Sequence, residues 1–186
     1  MLALNHVIPF QLQEPFYRFI SGSLKHVGKV LQLVVRLPEV YVGPGSSLLL
    51  CDAVAGSGVK RLLLVTDSML VKLGLVEPLL QRLQVSGVEV TVYDGVKPDP
   101  ALEQCEEAYE VLKRERCEAV LGIGGGSVMD CAKVIAACAT NNKAIWKMTG
   151  FFKVSRAPLP VYCVPTTAGT GSEVSIGAVV SAPGKK

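Results

Sequence analysis

The chain has 186 residues, 49% of them apolar, and a formal net charge of +3. That length holds an α/β domain with a buried core, and the mild, scattered charge contains no basic block of the kind that binds nucleic acid. No apolar stretch reaches bilayer-spanning length, and the start "MLALNHVIPFQLQEPFYRF" lacks the basic segment and long apolar run of a secretory signal, so neither a membrane partner nor export is expected.

In chain order, residues 1–37 fit two readings. "EPFYRFISGSLKHVGKVLQLVV" suits either a helix broken at Gly22 or an extension lying on the main body. "EVYVGPGSS" predicts a short strand over residues 39–42, closed by a Gly-Pro-Gly turn. "RLLLVTD" is an apolar run of strand length, as expected of a parallel strand buried on both faces. Helix-like "MLVKLG" and "VEPLLQRLQVSG" follow, with Gly87 as a stop signal. "VEVTVYDG" predicts the next strand. "DPALEQCEEAYEVLKRERC" is the clearest helix: Asp99 can cap it, Pro100 suits its first position, and Leu102, Cys105, Ala108 and Leu112 share one face. "EAVLGI" predicts a strand, "VMDCAKVIAACAT" a helix and "LPVYCVPTT" a strand. "SIGAVVSAPGKK" predicts a further strand running into a turn, with no helix to return on, which reads as the N-terminal part of a longer protein. Strands alternating with helices predict βαβ units and a mainly parallel sheet. Cys51, Cys105, Cys117, Cys131, Cys138 and Cys163 form no C-x-x-C pair and sit in apolar segments. They are expected to be small buried hydrophobes in a reducing cytoplasm rather than disulfide partners.

Three places carry chemistry. In "GIGGGS", Gly124, Gly125 and Gly126 follow a strand and open a helix. In a doubly wound sheet, ligands bind beyond the carboxyl ends of the strands. Glycines there permit positive φ and close backbone approach, and the first amides of the helix are unpaired at the positive end of its dipole. These are the elements of a phosphate site. Ser127 is expected to cap the helix, with Asp130 completing a capping-box-like pair. A tight turn without a ligand would use the same residues, and the spacing matches neither G-x-G-x-x-G nor G-x-x-x-x-G-K-[ST]. The second place is "VPTTAGTGSEVS", where Thr166, Thr167, Thr170 and Ser172 offer hydroxyls and Gly169 and Gly171 leave the backbone bare. It begins at a strand end, so it should face the same crevice; an ordinary Ser/Thr/Gly loop is the plain alternative. The third is Asp67, at the end of "LLLVTD". It can accept hydrogen bonds from a ribose or simply cap the next helix.

"GIGGGSVMDCAKVIA" followed by "VPTTAGTGSEVS", together with "LLLVTDSMLVKLGLVEPLLQRL" and "VYDGVKPDP", resembles the iron-containing alcohol dehydrogenase family over most of the chain. The resemblance implies the dehydroquinate-synthase-like fold. Residues 38–186 would then be its Rossmann-like α/β dinucleotide-binding domain, truncated at its C-terminal end. The helical metal-binding domain would lie outside this chain, and 1–37 would be an extension. It implies NAD in preference to NADP as cofactor. Gly125, Gly126 and Ser127 would hold the pyrophosphate, and Thr166, Thr167 and Thr170 would line the cleft. Ser175, and with it Gly177, would approach the nicotinamide. Asp67 would be the adenosine-ribose acid, and Asp99 stands at a further cofactor position that is often Asn.

For the complete enzyme the resemblance implies hydride transfer between a small alcohol or aldehyde and NAD, in a cytoplasmic homo-oligomer. Fe(II) or another divalent metal would polarise the alcohol oxygen. The family's metal ligands, one Asp and three His, do not match this sequence, whose two histidines, His6 and His26, precede the matched region. The chain alone is therefore expected to be inactive. Two alternatives stay open: a non-catalytic nucleotide-binding fragment, and a lyase resembling dehydroquinate synthase.

Overall fold

The computed structural model describes residues 38–98, 102–150 and 153–181. The expectations for residues 1–37, and for Asp99 and Pro100, lie outside the described residues. The elements that follow all belong to the compact unit Tyr41–Lys186.

The order is α1 (Ser46–Gly56), β1 (Arg61–Val65), α2 (Ser68–Lys72), α3 (Glu77–Val85), β2 (Glu89–Tyr93), α4 (Leu102–Arg114), β3 (Ala119–Gly124), α5 (Gly126–Asn141), a 3-10 turn (Ile145–Met148) and β4 (Val161–Pro165). The four strands pair in parallel in the order β2-β1-β3-β4, so the expected α/β class with a parallel sheet and flanking helices is what the chain forms. β1 and β3 are central and buried on both faces, which is why they read as unbroken apolar runs. β2 and β4 lie at the edges and are half-buried.

Alternation along the central strands divides the core in two. Leu63, Val65 and Val120 pack with Cys105, Ala108 and Leu112 of α4 and with Val128, Ala132 and Ile135 of α5. Leu62, Leu64, Leu121 and Ile123 face the other way, against Cys51 and Val54 of α1 and Leu79 and Leu83 of α3. Asp52 of α1 and Arg82 of α3 add a two-bonded ion pair at 2.7 and 2.8 Å on that outer surface. Helix α5 ends at Asn142, whose φ of 52° gives the left-handed cap. The six cysteines are free thiols, and all but the half-buried Cys163 are buried. No helix among the described residues is long and apolar enough to cross a membrane.

Two strand expectations are corrected. Residues 39–42 join no strand: Val40 and Val42 stay 60% and 89% exposed, so their alternation finds no face to bury. Residues 175–180 form no strand either, because their polar backbone is engaged elsewhere. Asp130 accepts from the Val179 amide, Lys133 donates to the Gly177 carbonyl, and the isolated bridge residue Ser181 accepts from the Leu102 amide. Helix α1 went unforeseen: "SSLLLCDAVAG" is apolar almost throughout, so it carries no helical spacing to read.

Candidate functional site

The chain runs from β1 outward to β2, then crosses back to β3 on the other side of β1. The strand order therefore reverses between β1 and β3, the place in an open parallel sheet beyond whose carboxyl ends ligands bind. Thr66 sits at this point, directly after β1. It is fully buried and its hydroxyl donates to the Ile123 carbonyl at 2.8 Å, tying the end of β1 to the end of β3. Asp67 follows. Its Oδ1 accepts from the amides of Met69 at 2.9 Å and Leu70 at 3.0 Å, so of its two expected roles the helix cap is present in the geometry.

The glycine turn follows β3, and its three glycines answer to different neighbours. None has a left-handed φ, so conformational licence is not what selects them. A Cβ on Gly124 would lie 2.6 Å from Val128 Cγ2 and 2.7 Å from Val128 Cβ. Two residues earlier, a Cβ on Gly122 would meet Ala132 Cβ at 3.1 Å. Gly122 and Gly124 thus bare the stripe of β3 on which α5 rests. Gly125 and Gly126 instead face the loop after β4: their Cβ positions lie 3.2 Å from Thr167 Oγ1 and 3.5 Å from Thr170 Cβ. The Thr166 amide donates to the Gly124 carbonyl at 2.9 Å. The two motifs that the sequence set apart meet here, at the ends of adjacent strands.

Helix α5 begins at Gly126, capped by the extended Gly125. Ser127 is its second residue, so the expected capping role is corrected. Asp130 forms no capping box with it; its carboxylate is engaged with the distant loop. The first intrahelical bonds are made by the amides of Val128 and Met129 to the Gly125 carbonyl, at 3.1 and 3.2 Å. The amides of Gly126 and Ser127 precede that first turn and point beyond it, as at any helix start. Thr166, Thr167 and Thr170 are exposed along the facing loop, where Gly169 and Gly171 take left-handed φ values of 88° and 63°. The arrangement is a cradle of helix-start amides and threonine hydroxyls, in which Thr170 Oγ1 accepts from the Ser172 amide at 3.4 Å. It can receive an oxyanion.

Sequence reasoning missed Lys133. It sits one turn after Asp130 on α5, and both side chains are only about 15% exposed. Lys133 Nζ donates to Ser172 Oγ, Ser175 Oγ and the Gly177 carbonyl, each at 2.9 Å, and lies 3.4 Å from Asp130 Oδ1. Ser172 donates to Asp130 Oδ1 at 2.6 Å, and the Val179 amide donates to Oδ2 at 3.0 Å. The available signal was that "SVMDCAKVIAACAT" carries only these two charges, spaced i,i+3, in an otherwise apolar helix. Ser175 and Gly177 are accordingly turned toward Lys133. Nearby, burial pushes the Cys163 thiol up to about 11, with Lys133 opposing and Glu173 and Asp130 reinforcing the shift, so this cysteine is uncharged at neutral pH. Asp99 lies outside the described residues.

Known proteins place this geometry. The model of the family "Iron-containing alcohol dehydrogenase" matches residues 38–186. Alcohol dehydrogenase 4 of Schizosaccharomyces pombe is 40% identical over 125 residues, covering 67% of this chain and 30% of that protein. NAD-dependent methanol dehydrogenase of Bacillus methanolicus is 36% identical over 149 residues, 80% of this chain and 39% of that protein. Among solved structures, NADH-dependent butanol dehydrogenase A of Thermotoga maritima superposes with a TM-score of 0.73 at 34% identity, over 80% of this chain and 38% of that one. The chain thus spans well under half the length of these relatives. With the family model matching four-fifths of its residues, this chain belongs to the iron-containing alcohol dehydrogenase family.

Proposed function

We propose that the chain is the dinucleotide-binding part of an alcohol dehydrogenase, and that it holds NAD across the carboxyl ends of β1, β3 and β4. The observation that carries this reading is the meeting of Gly125 with Thr167 and of Gly126 with Thr170. Side chains on either glycine would press on the loop, so the bare backbone lets the turn and the threonines lie together and leaves the amides of the turn unscreened for a ligand that must come close. In this reading the amides of Gly126 and Ser127 bind the pyrophosphate, aided by the α5 dipole. The hydroxyls of Thr166, Thr167 and Thr170 line its flank. Asp67, beyond its cap, receives the adenosine ribose, and Ser175 lies toward the nicotinamide. Two of the similar proteins are NAD(H)-dependent by name, which supports NAD as the cofactor class.

When bound, NAD supplies the hydride acceptor for a small alcohol; the residues of this chain bind and orient it. Among the described residues, no group of three or more His, Cys, Asp or Glu side chains is placed to hold a metal ion. These residues therefore do not fit the metal that the family name carries, and their part is cofactor binding. A small alcohol or aldehyde as substrate and a homo-oligomeric whole enzyme complete the proposal. The direct test is titration of the protein with NADH, followed by nicotinamide fluorescence. Saturable enhancement, displaced by NAD, is the expected result; no saturable binding would contradict the reading.

A further inference from the structure

We propose that Asp130 and Lys133 are positioning residues: they clasp the 172–179 segment to α5 and thereby hold the threonine loop against the glycine turn. The inference rests on the dinucleotide reading and adds to it the device that keeps the two halves of the cradle in register.

The loop after β4 has little to hold it. Beyond Thr166 it has no regular structure, its threonines are exposed, and it contains two glycines in the left-handed region. Its ties to the body are concentrated at Asp130 and Lys133. An ammonium group has three hydrogens, and Lys133 meets three acceptors of the loop, all at 2.9 Å. Both oxygens of Asp130 are engaged, one by Ser172 and one by the Val179 amide. Ser172, 7% exposed, links the two charges by accepting from Lys133 and donating to Asp130. Four points of the segment, at 172, 175, 177 and 179, are thus tied to two residues of one helical turn.

The obvious competing role for a lysine just inside a glycine-turn helix is direct contact with a phosphate. The geometry disfavours it. The donors of Lys133 are already spent on the loop, and the adjacent carboxylate cancels its charge. The two roles make opposite predictions for Asp130→Asn. If Lys133 met the anionic cofactor, removing the neighbouring negative charge would tighten NADH binding. If the pair is a clasp, the substitution turns one acceptor into a donor, and either the Ser172–Lys133 side or the Val179 amide loses its partner.

The test is amide hydrogen exchange of the cofactor-free protein together with NADH titration, for wild type, Asp130→Asn, Lys133→Gln and Ser172→Ala. Ser172→Ala leaves no charge unpaired, so it reports on the clasp if the charged variants fold poorly. The clasp predicts that exchange over 172–181 rises about tenfold, that β3 and α5 stay protected, and that NADH affinity falls about tenfold. Unchanged exchange over 172–181, or equal or tighter NADH binding by Asp130→Asn, would overturn it. Failure of the wild-type protein to bind NADH would instead refute the dinucleotide reading, and the clasp's role would fall with it.

Discussion

Gly124→Ala isolates the packing role of the glycine turn. The new Cβ would stand 2.6 Å from Val128 Cγ2 and 2.7 Å from Val128 Cβ, distances that real Cβ atoms do not sustain. Val128 cannot yield by rotation alone: its Cβ is fixed to the helix backbone, and β-branching holds χ1 in one well. Helix α5 must therefore lift from the sheet, along a stripe where Gly122 already lets Ala132 approach closely. Overpacking of this kind costs about 1–3 kcal/mol. Losing a glycine from the unfolded chain offsets about 0.4–1 kcal/mol of it. The net expectation is a loss of about 1–2 kcal/mol, read as a lower urea midpoint at unchanged slope. Val128→Ala alone opens a cavity and also destabilises, but combined with Gly124→Ala it removes the Cγ contacts and leaves only the 2.7 Å approach to the Val128 Cβ position, so it relieves part of the clash. The pair should couple favourably by about 1 kcal/mol. A Gly124→Ala protein within about 0.5 kcal/mol of wild type would refute the argument that close helix–strand packing requires this glycine.

Asp67→Asn keeps a side chain that caps α2 equally well but removes the charge that would oppose a 2′-phosphate. It should narrow the preference for NAD over NADP with little change in stability, and an unchanged ratio would leave Asp67 a cap and nothing more. The Lys60 amide, at 2.9 Å, and then the Arg61 guanidinium hold the Glu118 carboxyl below its ordinary value of 4.5. Its stabilising contribution is therefore present above that value and lost as pH falls through the lower folded one. Glu118→Gln should flatten the acid limb of a stability–pH profile, and an unaltered limb would contradict this. The 186-residue chain mixed with NAD, simple alcohols and Fe(II) is expected to form no NADH; metal-dependent formation would reveal a ligand set that the described residues do not supply.

Much of the fold was legible because central parallel strands and amphipathic helices write themselves locally. "LLLV" and "AVLGIG" are buried on both faces and apolar throughout, and α4 repeats its buried residues at Cys105, Ala108 and Leu112. What failed to show was set by distant partners. "SIGAVV" has the composition of a strand, yet its backbone groups go to Asp130 and Lys133, more than forty residues earlier. Asp130 looked like half of a capping box because Ser127 stands three residues before it. Nothing local reveals that Gly125 caps the helix or that Ser172 and Val179 claim the carboxylate. The glycine turn was legible as a site, but not the division of labour within it. That Gly124 serves Val128 while Gly125 and Gly126 face the threonines depends on where α5 and the loop after β4 come to rest.

Gly126→Ala tests the central claim most directly, because fold and binding should move in opposite directions. Gly126 is the first residue of α5, its φ is not left-handed, and an added Cβ would meet Thr170 at 3.5 Å, an ordinary contact. Alanine should therefore be tolerated, and its better helix propensity can raise stability by up to about 1 kcal/mol. The same methyl group would stand beside the amides of Gly126 and Ser127, over which the pyrophosphate is proposed to lie. The account predicts a variant with a wild-type or higher urea midpoint whose NADH affinity, followed by nicotinamide fluorescence, falls about tenfold or more. A folded Gly126→Ala protein that binds NADH as tightly as wild type would contradict it.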